Sequence, residues 1–305
     1  MRFADDNAMT DSAPVTSKRR RPRSLTVVGA ILIGVLAVVL GYALWTVYEN
    51  TLTPAALASG SANASPSGPR GLSATAARAL EAYGGEAVWR SATRVESTVT
   101  VGGLLFQLKG GLTLPPHARI TIDVHRPYTV IQPIDPGGDR AVVDGFSVTV
   151  MSPAGRVIEQ RADAREHLQN ASVTTKWDGV NLVYLLGYAF WGYYALPALL
   201  SRNDVQWTQL QDGVLQADFG PNLPVHSRIQ RFWFDKQTGL LKRNDYTPAA
   251  AARDARAAHI IFEHKTSNGI PYPSKRRVKI SLAQYGWVLP FPDFITIDVE
   301  SWQLR

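Results

Sequence analysis

Residues Leu182–Leu200 read LVYLLGYAFWGYYALPALL, and this stretch decides the fold. It has no charged side chain and six aromatic ones. A helix that is apolar on every side must be buried, either in a protein core or in a membrane. The run is about long enough to cross a bilayer, which needs roughly 20 residues.

Three features of this stretch favour a protein core over a membrane. Pro197 lies inside the run, and Gly187 and Gly192 weaken the helix. The tyrosines lie at mid-depth, whereas the aromatic residues of membrane helices collect at the two interfaces. The stretch therefore predicts a central apolar helix with a sheet wrapped on it. Such a helix can form one wall of an apolar pocket.

A second uncharged stretch, Leu25–Tyr48, predicts a transmembrane helix. At 1.5 Å per residue the helix is about 36 Å long, which is enough to span a bilayer. Trp45 and Tyr48 lie at its far end, and the basic cluster Lys18–Arg23 precedes it. By the positive-inside rule, the N-terminus is cytoplasmic and the C-terminal domain is extracytoplasmic. The chain is thus predicted to be a single-pass protein of the cell membrane, with the lipid bilayer as the partner of residues 25–48.

A cleaved signal peptide is the alternative interpretation of the N-terminal region. Ala56–Ala58 and Ala62–Ala64 have the A-x-A form of a cleavage site. The apolar core of a signal peptide usually has about 7–15 residues, and this one is longer, which favours an uncleaved anchor. Under either interpretation the domain is exported. The chain contains no cysteine, which excludes a disulfide framework and a lipoprotein anchor.

Charge and composition divide the chain into four parts. Residues 1–24 are a cytoplasmic basic tail, 25–48 the transmembrane helix, 49–70 a flexible linker rich in Ala, Ser, Gly and Pro, and 71–305 the exported domain. The tail holds six basic and three acidic side chains of a chain with net charge +7. The excess that remains in the domain is mild, and it predicts no nucleic-acid partner.

In the exported domain, apolar and polar residues alternate as they do in β-strands. A short amphipathic helix is predicted at Leu72–Trp89, ending at Gly84-Gly85, and a strand follows from Val95. Gly102-Gly103 turns the chain into a further strand at Leu104–Leu108. No helix separates successive strands in the second half, so the sheet is expected to be antiparallel. The predicted class is α+β, with a large curved sheet that holds a few helices in its concave face.

The second half carries a recognisable series of motifs: Trp177-Asp178, Leu185–Trp191, Leu196-Pro197, Arg231–Asp235, Thr238–Tyr246, Ala258-His259, Glu263-His264 and Gly269–Pro273. Over about residues 175–280, this series resembles a family of bacterial proteins without an assigned activity. More distantly, the layout resembles the lipoprotein carrier fold (LolA-like). That resemblance implies a half-barrel that is closed by helices and holds acyl chains.

Polar residues of the second half offer one candidate site. Asp245, His226, His259 and His264 could form a metal or acid–base site. His259 and His264 are five positions apart, so on a regular strand they point to opposite faces, which argues against a metal. A buried structural histidine paired with Asp245 is the favoured interpretation. The run Lys275–Arg277 is interpreted as the solvated face of a strand, with contact to anionic lipid as the alternative.

No catalytic motif is visible in the chain. It lacks the nucleophile elbow G-x-S-x-G, the phosphate-binding glycine motifs and the H-E-x-x-H zinc motif. We therefore predict no enzymatic activity, no cofactor and no metal.

The aromatic helix is the candidate binding element. We predict that one wall of an apolar pocket is formed by Tyr184, Tyr188, Trp191, Tyr194 and Ala195. Aromatic rings present a large apolar surface of defined shape. The predicted function is to bind or carry a lipid, a lipoprotein or another apolar ligand near the membrane. The alternative is a structural or interaction module of a cell-envelope complex, in which these rings only fill the core.

Overall fold

The computed structural model describes residues 34, 36–41, 66–67, 71–252, 255–282 and 285–305. The chain divides into two units, Met1–Leu44 and Trp45–Arg305. In the first unit, residues 34 and 36–41 are helical and exposed. The rest of the predicted transmembrane helix, the basic tail 1–24 and most of the linker 49–70 lie outside the described residues. Within the described ranges no helix is long and apolar enough to cross a membrane.

Fourteen strands of the described residues form one sheet in which every paired neighbour is antiparallel. The first strand has two residues, lies within the predicted linker and pairs with the eighth. The strands are β1 Pro66–Ser67, β2 Arg94–Gly102, β3 Ala118–Asp123, β4 Tyr128–Gln132, β5 Arg140–Asp144, β6 Ser147–Met151, β7 Val157–Arg161, β8 Val205–Gln211, β9 Val214–Phe219, β10 Ile229–Phe234, β11 Leu241–Tyr246, β12 Ala257–Ser267, β13 Ile270–Ile280 and β14 Ile295–Leu304.

The strand order is β1-β8-β9-β10-β11-β12-β13-β14-β2-β3-β4-β5-β6-β7. Apart from β1, each half of the chain forms a run of neighbouring strands, and the last strand joins the two runs. In that junction β14 pairs with β2, and Val299 lies opposite Val99. The predicted α+β class with a large antiparallel sheet is confirmed at this level.

Within the described part of residues 71–305, five α-helices accompany the sheet: α1 Ala74–Ala82, α2 Glu86–Ser91, α3 Leu104–Leu108, α4 Gly179–Tyr194 and α5 Leu196–Leu199. The strand predicted at Leu104–Leu108 is wrong, because this segment is α3. Gly103 has φ 121° and lies so close to the chain before β14 that an added Cβ would clash with the Phe294 carbonyl oxygen. The amides of Leu104 and Leu105 then donate to the Asp293 and Phe294 carbonyls, which holds the first turn of α3 in place.

The central helix α4 starts at a side-chain cap and ends before a proline. Asp178 accepts a hydrogen bond from the Asn181 amide at 2.7 Å. The apolar run predicted as one helix over Leu182–Leu200 is divided at Ala195, and α5 begins at Leu196. Pro197 lacks the amide hydrogen that would bond back into α4, so the helix does not continue through it. Helix α4 contacts β3, β4, β5 and β6.

Candidate ligand-binding cavity

A cavity of about 230 Å³ lies between α4 and strands β10–β14, and we call it the α4 cavity. It is larger than a cavity of roughly 150 Å³, which is enough to bind benzene. Most of its lining is apolar. Its walls include Leu105, Leu185, Leu186, Tyr188, Ala189, Phe190, Gly192, Tyr193, Leu196, Phe219, Val225, Phe232, Leu241, Tyr246, Val278, Ile280, Phe294, Ile295 and Ile297.

The helical wall of the α4 cavity is one face of α4. Leu185, Tyr188, Ala189 and Gly192 line the cavity and recur at intervals of three and four residues. An added Cβ at Gly192 would have no heavy atom within 4 Å. The missing side chain at this position therefore contributes directly to the empty volume.

The five residues predicted to bind a ligand are distributed over several faces of the helix. Tyr188 lines the α4 cavity. Tyr184, Trp191, Tyr194 and Ala195 are buried, and they are not among its lining residues. The ring of Trp191 lies under the Arg202 guanidinium at 5.8 Å, and the Tyr194 hydroxyl accepts from Ser97 at 3.0 Å. Because α4 is apolar all round, the sequence did not show which face borders the cavity.

Two half-buried tyrosines meet at the wall of the cavity. The hydroxyls of Tyr193 and Tyr246 lie 3.1 Å apart. Burial raises the pKa of both phenols above the usual value, so both are neutral at physiological pH. Tyr193 was not among the predicted binding residues, although it lies four residues after Ala189 and lines the same cavity.

His226 lies at the end of the cavity that contains Tyr188. Its ring lies 5.0 Å from the ring of Tyr188, and its Nε2 lies 3.3 Å from the Tyr184 hydroxyl. Burial, followed by the nearby Arg165 charge, lowers the pKa of His226 to about 4. The imidazole is therefore neutral at pH 7 and adds hydrogen-bonding capacity without charge.

Regular alternation predicted that His259 and His264 point to opposite faces of the sheet, and that prediction is wrong. His259 lines the cavity with its ring 4.3 Å from Tyr193, and the Nε2 of His264 lies 3.2 Å from the hydroxyl of Tyr83, the residue that follows α1. Both side chains therefore face the helices. Register shifts on either side of Glu263 interrupt the alternation of β12, and such β-bulges change which face a side chain takes.

The basic run Lys275–Arg277 is not a uniform solvated face, and that prediction is wrong. Arg276 is 1% exposed and lines the α4 cavity, whereas Lys275 is exposed and Arg277 pairs with Asp298 at 2.9 Å. Strand β13 lies between β12 and β14, so one of its faces must point toward α4. Arg276, the middle residue of the run, lies on the face that points toward α4.

Asp245 has no histidine partner of the kind that the sequence suggested. Its carboxylate binds Arg243 through two contacts of 2.6 Å, and Arg243 also donates to the Gly286 carbonyl. The segment before β14 contacts this buried ion pair through Gly286. No group of three His, Asp or Glu side chains in the described ranges is arranged to hold a metal.

Lys109 ties the segment after β11 to the rest of the domain. Its Nζ donates to the carbonyls of Ser172 (2.6 Å) and Ala251 and lies 5.2 Å from the Trp177 ring. Ala251 and its neighbours Pro248 and Ala252 line the α4 cavity. Burial, followed by the Lys176 charge, lowers the pKa of Lys109 to about 8. This lysine therefore holds one wall of the cavity in place.

Comparison with known proteins finds similarity in solved structures. No protein-family model matches the chain, and no curated protein sequence matches it. A LolA superfamily protein from Nitrosomonas europaea is similar at 13% identity and TM-score 0.38, over 76% of this chain and 94% of that one. A DUF1329 family protein from Desulfovibrio piger is similar at 14% identity and TM-score 0.42, over 78% and 94%. A domain from Vibrio parahaemolyticus described as an outer membrane lipoprotein-sorting protein is similar at 10% identity and TM-score 0.33, over 76% and 91%. At these scores, no property of those proteins is carried over to this chain.

Proposed function

We propose that this protein binds a lipid or another apolar ligand in the α4 cavity, and that residues 25–48 hold its domain at the outer side of a cell membrane. The single observation that carries the binding proposal is the cavity itself. A volume of about 230 Å³ bordered mainly by aliphatic and aromatic side chains leaves apolar surface without packing partners. An apolar ligand would supply those contacts, and its own transfer from water would contribute to binding.

The helix and the sheet support the proposal jointly. Helix α4 packs on β3–β6 with one side and borders the cavity with another, where β10–β14 form the opposite wall. We propose that the sheet acts as a half-barrel around α4. The proposal requires no catalytic group and assigns no enzymatic activity to the chain.

Lipid extraction from the purified protein tests the proposal, with Gly192→Leu as the blocking variant. The leucine side chain at this position would extend into the empty volume, because nothing lies within 4 Å of an added Cβ. We expect the wild-type full chain to carry a stoichiometric lipid or fatty acid, detected by mass spectrometry. Gly192→Leu should lose it, and Gly192→Ala should retain it as the matched control. The absence of a bound lipid from the wild type, or equal amounts in all three proteins, would contradict the proposal.

A second candidate function is supported by the segment before β14. Leu282, Trp287 and Phe291 are exposed to 61%, 45% and 59% on this segment. Exposed large apolar side chains are typical of protein or membrane interaction sites. They favour the alternative of an interaction module in a cell-envelope complex. If Trp287→Ser impairs the function of the protein in cells and Gly192→Leu does not, the interaction module is the better-supported function.

A further inference from the structure

Arg276 carries a buried charge in a largely apolar cavity. The side chain is 1% exposed, and its Nε makes one weak hydrogen bond of 3.4 Å to the Pro273 carbonyl. Within the part of the chain that the structure describes, Nη1 and Nη2 have no hydrogen-bond partner. Since arginine stays protonated in proteins, this position holds a positive charge with open donors.

The groups around Arg276 are neutral. Its Cζ lies 5.1 Å from the Tyr193 ring and 5.8 Å from the Tyr194 ring, which gives the charge a partial cation–π stabilisation. Burial raises the pKa of Tyr194 and of Tyr83 to about 12, so neither phenol provides a negative charge at pH 7. Burial also lowers the pKa of His259 well below its usual value.

The other basic side chains of the cavity are either paired or exposed. Lys279 donates to the Pro290 carbonyl and pairs with Asp293. Arg256 lines the cavity but is exposed. Arg276 is thus the cavity cation that is buried without a counter-ion in the described ranges. A buried charge without a partner is strongly unfavourable, so a bound anion would be strongly favoured here.

We propose that the α4 cavity binds a single-chain amphiphile with a carboxylate head group, and that the carboxylate lies inward against Arg276. This inference rests on the proposed function and names the ligand class. The two free Nη groups form a planar fork that matches the two oxygens of one carboxylate. One guanidinium also balances the single charge of a carboxylate.

The second polar contact and the position of the tail follow from the strand register. His259 lies opposite Val278 and Arg276 opposite Ile261, so His259 and Arg276 are diagonal neighbours on one face of the sheet. The Nε2 of His259 is buried and has no partner among the described residues, and it donates to the carboxylate in the Nε2–H tautomer. The acyl chain then lies along the face of α4 that contains Leu185, Ala189 and Gly192.

The test compares octanoate with 1-octanol, which have the same chain length but differ in charge. Affinities are measured by calorimetry on the full chain in one non-ionic detergent, so that partitioning into micelles is common to all variants. We expect the wild type to bind octanoate at least about ten-fold more tightly than 1-octanol, as charge-assisted hydrogen bonds give. Arg276→Met should lose this preference and still bind 1-octanol. Arg276→Lys, which keeps the charge without the fork, should retain part of the preference.

The exposed Arg256 provides the matched control. Arg256→Gln should keep the octanoate preference of the wild type, because the exposed Arg256 side chain lies at the rim of the cavity and not beside the proposed carboxylate site. Loss of the preference in Arg256→Gln but not in Arg276→Met would mean that the head group lies outward, which overturns the inference. Equal wild-type affinity for the two ligands would overturn it as well and leave the proposed function intact. Binding of neither ligand by the wild type would refute the proposed function itself.

Folding of the variants has its own readout. Arg276→Met removes an uncompensated buried charge, so the unliganded variant should unfold at a temperature no lower than that of the wild type. Octanoate should raise the Tm of the wild type more than that of Arg276→Met. A large fall in the Tm of unliganded Arg276→Met and Arg276→Lys alike would show that Arg276 has a structural role only, and would overturn the inference.

Discussion

At the scale of single residues, this domain holds several buried or half-buried ionisable groups in their neutral forms. His226, His259 and His264 all have pKa values lowered by burial, and the phenols along α4 have raised ones. Each of these groups is more stable uncharged in the folded chain than in water. The folded state therefore depends on pH through groups that lie next to the α4 cavity.

Stability should fall when the pH is lowered from about 6.5 to about 4. In the unfolded chain a histidine binds its proton near pH 6.5, whereas burial lowers the pKa of His226 and of His264 to about 4 in the folded chain. The unfolded state therefore binds more protons in this window, and stability rises with pH across it. Each residue can contribute up to about 3 kcal/mol. Urea unfolding at pH 7, 5.5 and 4.5 measures the slope.

Replacement of one histidine separates this effect from the titration of carboxyl groups. His264→Asn should show a shallower fall in stability with acid than the wild type does. His167→Asn, at an exposed position, controls for the effect of replacing a histidine as such. An identical slope in the wild type and in His264→Asn would refute the assignment.

At the scale of elements, α4 uses its two glycines in opposite ways. Gly187 lets the helix approach β5, since an added Cβ would meet Val143 Cγ2 at 2.5 Å. The Gly187 carbonyl also accepts from Thr129 of β4 at 2.8 Å. Gly192 instead faces the α4 cavity, where nothing would touch an added Cβ. One glycine therefore allows close packing, and the other leaves part of the cavity empty.

The same substitution at these two positions should change stability in opposite directions. Gly192→Ala should raise the free energy of unfolding by about 0.5–1 kcal/mol, because alanine is the better helix former and the site has room. Gly187→Ala should lower it by about 1–3 kcal/mol, because overpacking against the stiff Val143 side chain outweighs the gain in helix propensity. Chemical denaturation of both variants measures the difference.

A compensating change checks the cause at Gly187. In the double variant Gly187→Ala, Val143→Ala, the clash is absent, so the two changes together should cost less than the sum of their separate effects. Strict additivity, or a Gly187→Ala variant as stable as Gly192→Ala, would show that the close approach of α4 and β5 is not the limiting contact.

At the scale of the whole molecule, one sheet requires both halves of the chain on the same side of any membrane. Strand β2 precedes α4 in the sequence and β14 follows it, yet the two strands are paired over their length. If α4 spanned a bilayer, these strands would lie on opposite sides. Helix α4 is instead buried in the domain core, with Tyr184, Phe190 and Trp191 at 0% exposure.

Membrane association should therefore depend on residues 25–48 and not on α4. A fragment of residues 71–305 contains every strand except β1 and should stay in the supernatant when membranes are pelleted without detergent. The full chain should pellet with the membranes and resist a wash at high pH. Wash-resistant membrane association of the fragment would contradict the burial of α4. A full chain that the wash releases would refute the anchor prediction.

Most of the secondary structure could be predicted from the sequence, because it depends on the local periodicity of apolar and polar residues. Alternation of apolar and polar residues located most of the strands, and the absence of helices between the later ones indicated an antiparallel sheet. The uncharged run Leu182–Leu200 indicated a buried helix. These patterns depend on neighbours within a few residues, so they can be seen without knowing what packs against them.

Only the tertiary structure decided which residues border the α4 cavity. A helix that is apolar on all sides has no polar stripe to mark its orientation. The sequence therefore could not show that Tyr188 and Gly192 face the cavity while Trp191 faces the core. Arg276 lies in a basic run that looks solvated, and its burial follows from the position of β13 between β12 and β14. That position is set by pairings between distant strands, and no local pattern encodes such pairings.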